Sequence, residues 1–239
     1  MRLLEGEGII KNFGGLTALA NVNFHIDRGE ILGLIGPNGA GKTTLFNLIS
    51  GSLVPTSGKI KFKGEDITGL KPHRICRKGI ARTFQLVKLF GSLTVLENIL
   101  LGGLFGPSKN SHKSRTKEEC LALLEFVGLS EMQESLARDL TIINQKRLEV
   151  ARALATKPEL LMLDEFMAGL NPTEIAMGIG LIRKIHDQGM TIFMIEHVMK
   201  AIMDVSDRIV VLHHGEKIAE GIPEKIAANQ MVIDVYLGT

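Results

Sequence analysis

The chain has 239 residues, 45% apolar and 23% charged, with a net charge of +2. That length can bury a sizeable core as one large domain or two small ones, and the near-neutral balance gives no support to a nucleic-acid binder. The two cysteines, Cys76 and Cys120, lie far apart without metal-ligand spacing, which suits a reduced, cytosolic setting. The start, MRLLEGEGII, lacks a secretory pattern. No apolar run approaches the roughly 20 residues needed to cross a bilayer, so any membrane role is expected to be peripheral.

In chain order, LLEGEGIIKNF and LTALANVNFHI read as strands, closed by a turn at Asp27-Arg28-Gly29-Glu30. Ile31 to Ile35 is a nearly all-apolar run of the kind found in buried parallel strands. A glycine-rich stretch follows, then a helix from about Lys42 to Ser50, and a strand and turn within Gly58 to Ile67. From about Leu86 to Val150 the pattern is helical, interrupted at Gly102 to Thr116, which reads as a mobile, solvated loop. Lys117 to Val127 has helical spacing that puts Cys120, Leu121, Leu123, Leu124 and Val127 on one face. Strands are then expected at Leu160 to Leu163, Thr191 to Ile195 and Arg208 to Leu212, with a helix from about Pro172 to Gln188 between the first two.

Gly36-Pro37-Asn38-Gly39-Ala40-Gly41-Lys42-Thr43 matches G-x-x-x-x-G-K-[ST] at every fixed position, between an apolar strand and a helix. Glycines let successive backbone N–H groups converge on a phosphate at a helix N-terminus. Lys42 is then placed for the β- and γ-phosphates and the Thr43 hydroxyl for Mg²⁺; Thr44 follows in the same turn. The loop alone does not separate kinase, GTPase and ATPase. Leu160 to Leu163 leads into Asp164 and Glu165, an apolar strand ending in two carboxylates. Asp164 is the expected Mg²⁺ partner and Glu165 the group that polarises the attacking water.

With these motifs the chain resembles the nucleotide-binding subunit of ABC importers, above all the first ATPase subunit of branched-chain amino acid transporters. Further residues that carry the resemblance are Phe13-Gly14-Gly15-Leu16, Arg82-Thr83-Phe84-Gln85, Leu93 to Asn98, Ala168 to Pro172, Ile195-Glu196-His197 and Val235 to Gly238. Lipopolysaccharide-export ATPases share much of this layout. The resemblance implies an α/β fold: a P-loop NTPase (RecA-like) core with an antiparallel β subdomain and an inserted α-helical subdomain. All of 1–239 is then one ABC ATPase domain, with 1–85 and 151–239 forming the β subdomain and core, and 86–150 the helical subdomain. It implies that Phe13 stacks on adenine, that Gln85 touches Mg²⁺ and the attacking water, and that His197 holds the γ-phosphate. Asn171 falls in the segment that crosses to a partner subunit.

Two positions depart from the pattern. The signature, close to Leu-Ser-Gly-Gly-Gln in the family, reads Leu140-Thr141-Ile142-Ile143-Asn144-Gln145, and the helix KRLEVARALA follows from Lys146. In the family this segment closes over the nucleotide of the other subunit. Thr141 keeps a hydroxyl for that contact. Ile143 is expected to obstruct it, because a β-branched residue is stiff, disfavours positive φ and takes up space near the phosphate. Phe166 stands where the family has proline, which is expected to loosen the aim of Glu165 and add bulk at the dimer seam. The partner's site could be degenerate, the changes tolerated, or hydrolysis weak.

The resemblance thus implies ATP and Mg²⁺ as ligands and ABC permease subunits as partners. It also implies a second ATP-binding subunit (a heterodimer in the first instance, a homodimer in the second) and an indirect relation to a substrate-binding protein. The expected place is the cytoplasmic face of the inner membrane. The rival readings are a regulatory ATP-binding subunit, a lipopolysaccharide-export ATPase, a soluble ABC protein and a P-loop kinase or GTPase. The space between Gln85 and Leu140 is too short for the coiled coil of repair proteins, and one cassette is half of what ribosomal types carry.

Overall fold

The computed structural model describes residues 1–106 and 116–237. The elements in order are β1 (Arg2–Phe13), β2 (Leu16–Asp27), β3 (Ile31–Ile35), α1 (Lys42–Ile49), β4 (Ser57–Phe62), β5 (Glu65–Asp66), α2 (Pro72–Lys78) and β6 (Ile80–Arg82). Then come α3 (Val95–Gly103), α4 (Lys117–Val127), α5 (Ile142–Ala155), β7 (Leu160–Asp164), α6 (Pro172–Asp187) and β8 (Thr191–Ile195). The chain continues through α7 (Met199–Val205), β9 (Arg208–His213), β10 (Glu216–Gly221), α8 (Pro223–Ala227) and α9 (Gln230–Leu237).

Two sheets result. β2-β1-β4-β5 form an antiparallel sheet, and β10-β9-β3-β8-β7-β6 a second sheet that is parallel except for β10. The strands of the second sheet are apolar throughout because both faces are covered. Along β3, Ile31 and Ile35 enter a core shared with the helices, whereas Leu32 and Leu34 enter a core shared with the antiparallel sheet and α1. β7 and β8 split the same way: Leu161, Leu163, Ile192 and Met194 face the helices, and Leu160, Met162, Phe193 and Ile195 face the antiparallel sheet. The period of two thus divides one apolar run between two cores.

The stretch from 86 to 150 is less helical than its composition suggests. It holds α3, α4 and the start of α5, with short 3-10 turns at Ser130–Met132 and Ala137–Asp139. The Leu93 to Asn98 motif has a local cause. Thr94 Oγ1 accepts from the Glu97 N–H at 3.1 Å while Glu97 Oε2 accepts from the Thr94 N–H at 2.7 Å, a reciprocal cap that starts α3. Buried Asn98 then pins the preceding loop through Phe90 N–H, Phe90 O and Thr94 O.

Gly102 does not begin a loop. It lies inside α3, where a Cβ would stand 2.6 Å from the Arg152 carbonyl of α5, so the glycine lets the two helices approach. Residues 107–115 of the expected loop lie outside the described residues, as does Gly238 of the C-terminal motif.

Candidate functional site

The strand order decides what meets. β3, β8, β7 and β6 lie side by side and parallel, so their carboxyl ends open on one edge. The phosphate loop follows β3, His197 follows β8, Asp164 ends β7 with Glu165 next to it, and Gln85 follows β6. Ligand sites of open α/β sheets form in such a place. Phe13, Leu16, Ala18, Asn38 to Thr44, Gln85, Glu165 and His197 line one cleft of about 390 Å³.

The loop's glycines are required by close contacts. Gly36 has φ 150°, and a Cβ there would lie 2.1 Å from the Leu212 carbonyl; Gly41 has φ 101°, with the Ala18 carbonyl 2.6 Å from its Cβ position. The β9–β10 turn also supports the loop, since the Gly215 N–H donates to Ala40 O at 3.1 Å. Lys42 is buried and folds back to donate to the carbonyls of Gly36 at 2.6 Å and Pro37 at 3.0 Å. Burial lowers its pKa, against the opposing pull of Glu165 and Asp164.

Glu165 is the centre of the constellation. Gln85 Nε2 donates to its Oε2 at 2.9 Å, and His197 Nε2 lies 2.9 Å from its Oε1. Facing a carboxylate, that nitrogen acts as the donor, which fixes the proton on Nε2. The Glu165 backbone is left-handed, with φ 53°. That conformation costs a non-glycine residue about 1–2 kcal/mol, and such strain concentrates at functional sites. The turn is held by the Glu165 N–H to Ile195 O at 2.9 Å, by Lys146 Nζ to Glu165 O at 3.1 Å, and by the Met167 N–H to Glu196 Oε1 at 2.9 Å.

Asp164 pairs with Arg82 across 2.6 Å through Oδ2, in a setting closed to solvent, and its Oδ1 is buried with no hydrogen-bond partner among the described residues. Phe13 stands at the rim of the cleft, 45% exposed, with Lys11 Nζ 5.0 Å from its ring centroid. That exposure sets aside a core role for this aromatic. Thr141 is apart from this group: it stands at the N-cap position of α5 without a side-chain capping bond, is exposed, and is not among the residues lining the cleft. Asn171 is the N-cap of α6, in a reciprocal cap with Glu174.

Both departures land differently from expectation. Ile143 is 7% exposed and helical, because α5 begins at Ile142, and no residue from 141 to 145 has positive φ. The side chain at the exposed tip is Ile142, at 59%. Phe166 is 3% exposed and turned inward onto Gly178 of α6, where a Cβ would lie 3.1 Å from its ring. Its bulk fills a core position in the chain.

Sequence reading gave no role to Arg82, Thr83, Lys146 or Glu196. Arg82 ties Asp164 to Asn47 and Ser50 of the loop helix and its end, and Thr83 Oγ1 accepts from the Asp164 N–H at 3.2 Å. Arg82, Thr83 and Glu196 lie inside motifs that carried the resemblance, where charged or hydroxyl residues next to apolar strands were the available signal, and Lys146 opens the KRLEVARALA stretch of α5.

The sequence profile described as ABC transporter matches residues 19–168. The chain is 43% identical over 249 aligned positions to the high-affinity branched-chain amino acid transport ATP-binding protein BraF of Pseudomonas aeruginosa, covering 99% of this chain and 98% of that protein. The same figures hold for LivG of Escherichia coli (strain K12), a protein of the same description. Among solved structures, an ATP-binding cassette of an ABC transporter in its ADP conformation superposes with a TM-score of 0.90 at 32% identity, covering all of both chains. With its phosphate loop, paired carboxylates and strand order, this chain belongs to the ABC transporter family and has the fold of its ATPases.

Proposed function

We propose that this chain binds ATP with Mg²⁺ and hydrolyses it to drive the import of branched-chain amino acids, with Glu165 as the general base. The observation that carries the reading is the bracket on Glu165: Gln85 and His197 hold one carboxylate oxygen each, in the cleft of the phosphate loop. A carboxylate so placed can accept a proton from the water that attacks the γ-phosphorus. The bond to the β–γ bridging oxygen breaks, and ADP and phosphate leave. Loop N–H groups and Lys42 bear the charge that develops on the phosphates, and Phe13 offers a face to the adenine. Branched-chain amino acids are the imported cargo in this reading because BraF and LivG are described as branched-chain amino acid transport ATP-binding proteins.

Mg²⁺ fits the residues present. It keeps waters and takes few protein ligands beside phosphate oxygens. Thr43 and Gln85 line the cleft; Asp164 is not among its lining residues, and its second oxygen is buried without a hydrogen-bond partner among the described residues. These three residues would hold the ion, which would neutralise charge on the β- and γ-phosphates.

No described helix is long and apolar enough to cross a membrane. In this reading the chain works at the cytoplasmic face of the inner membrane, against ABC permease subunits. A groove of about 490 Å³ bounded by α2, β6, α3 and α5 supports that contact. Phe84, Phe90, Leu101 and Phe105 line it, and Phe90 and Phe105 are half exposed. A second ATP-binding subunit, most simply a different chain in a heterodimer, would complete this chain's nucleotide site, and the Thr141 end of this chain's α5 would complete the partner's. The substrate-binding protein would act through the permease. Residues 86–150 would move as a unit against 1–85 and 151–239 when ATP is enclosed.

Glu165→Gln tests the reading. The variant should bind ATP with wild-type affinity, form an ATP-dependent dimer with its partner, and lose turnover in membranes containing the permease. Retained hydrolysis would remove Glu165 from the role of base.

A further inference from the structure

Two buried ionisable side chains close to the site have no part in the chemistry above. Lys146 is 6% exposed and Glu196 2% exposed. Lys146 sits on α5, one turn after Thr141 and Ile142, and donates to the main-chain carbonyl of Glu165. Glu196 follows β8 directly, just before His197, and accepts from the Met167 N–H, two residues beyond Glu165. The two charges attract each other, and Glu196 Oε2 is buried without a hydrogen-bond partner among the described residues.

They act on the part of the chain that needs restraint. The Glu165 backbone is left-handed, and Phe166 follows where a proline would stiffen the turn. A strained turn of this kind persists only when its surroundings over-determine it. α5 also grips the segment after Gln85: Glu149 Oε1 accepts from the Lys88 N–H at 3.1 Å, and the Arg152 guanidinium donates to the Lys88 carbonyl. One helix therefore touches the turn that carries Glu165 and the segment that follows Gln85. Its first turn carries the exposed Thr141 and Ile142.

We propose that Lys146 and Glu196 are positioning residues that clamp the Glu165 turn, so that the placement of α5 sets the aim of the base. The inference rests on the reading of Glu165 as the base. It means that whatever engages the Thr141 end of α5 is felt at this chain's own carboxylate through the Lys146 contact. The burial that pushes the Glu196 carboxyl up to about 7 is consistent with a group kept for its hydrogen bond to the turn.

The test compares Lys146→Met, Lys146→Arg, Glu196→Met and Glu165→Gln in the assembled transporter, with ATP affinity measured on the isolated chain. Misplacing a catalytic group by about 1 Å can cost about 100-fold in rate. Lys146→Met should therefore lower kcat by about 10- to 100-fold with KM and ATP affinity within about twofold. Lys146→Arg, which keeps a cationic donor, should recover most of that loss. An unchanged kcat in Lys146→Met, or a raised KM with kcat intact, overturns the clamp. Should Lys146→Met fail to fold by thermal melting, Glu196→Met decides, because it removes the acceptor of the Met167 N–H that holds the Glu165 turn. It must lower kcat at unchanged KM. Active Glu165→Gln would instead defeat the underlying reading, whereas inactive Glu165→Gln beside fully active Lys146 and Glu196 variants defeats the clamp alone.

Discussion

Arg82 and Asp164 meet at 2.6 Å with both side chains almost wholly buried, and the same guanidinium reaches Asn47 Oδ1 at 2.7 Å and Ser50 Oγ at 3.0 Å. One planar fork thus joins the end of β7 to the helix that follows the phosphate loop. Removing it leaves a buried carboxylate uncompensated. Arg82→Ala should cost about 3–5 kcal/mol in urea unfolding. Arg82→Lys should recover only part of that, since an ammonium cannot hold three partners in a plane. A loss under about 1 kcal/mol for Arg82→Ala would mean that Asp164 is solvated or repaired by another group.

Lys42 donates to the carbonyls of Gly36 and Pro37, so it is held within the loop by bonds that phosphate oxygens can replace. Lys42→Ala removes the only lysine lining the cleft among the described residues. A charge-assisted bond contributes about 1.5–3 kcal/mol, so ATP affinity should fall by about 10- to 100-fold in titration with a fluorescent nucleotide. Unchanged affinity would sink the phosphate-loop assignment.

Adjacent isoleucines at the start of α5 behave oppositely. Ile143 is buried, and Ile142 is 59% exposed. Ile143→Ala should cost about 2–5 kcal/mol of stability through lost burial and a cavity. Ile142→Ala should stay within about 0.5 kcal/mol. The functional ranking reverses. Ile142 faces whatever closes on the Thr141 end, so Ile142→Gly is the change expected to alter ATP-dependent dimerisation. Equal destabilisation by the two alanine variants would contradict the inward turn of Ile143.

That pair also shows where sequence reading stopped. The register of the signature was legible from the KRLEVARALA helix, but register alone does not say which of two consecutive isoleucines turns inward. A helix starting at Ile142 settles it, and that start depends on Thr141 being extended, with ψ 160°. The apolar runs at Ile31, Leu160 and Thr191 were legible as strands, and their ends placed Lys42, Glu165 and His197. Their division between two cores was not, because residues apolar on both faces carry no alternation. β6 is three residues long, too short for a periodic signal, yet it places Gln85. Gly102 was misread because a glycine that lets helices approach looks the same in sequence as one that opens a loop. The polar partners Lys146 and Glu196 come from segments far apart in the chain, and only the fold brings them to one turn.

Glu196 gives a pH signature. Burial is the main cause that raises its carboxyl from 4.5 to about 7, opposed by the Met167 N–H, Lys146 and the His197 N–H, and reinforced by the charge of Glu165. In the unfolded chain the group returns to the ordinary glutamate range. Between about 4.5 and 7 the folded protein therefore holds a proton that the unfolded chain has released, and stability falls as pH rises through that window. Below it both states are protonated, and above it both are ionised, so the contribution is level on either side. At about 1.4 kcal/mol per pH unit the fall is on the order of 3 kcal/mol. Glu196→Gln cannot titrate and lacks this component. Urea unfolding at pH 5 and pH 8 should show a wild-type loss on going to pH 8 that exceeds the variant's by about 2–3 kcal/mol. Identical losses in the two proteins would show that Glu196 ionises at its ordinary value, with water reaching the carboxylate between β8 and the Glu165 turn.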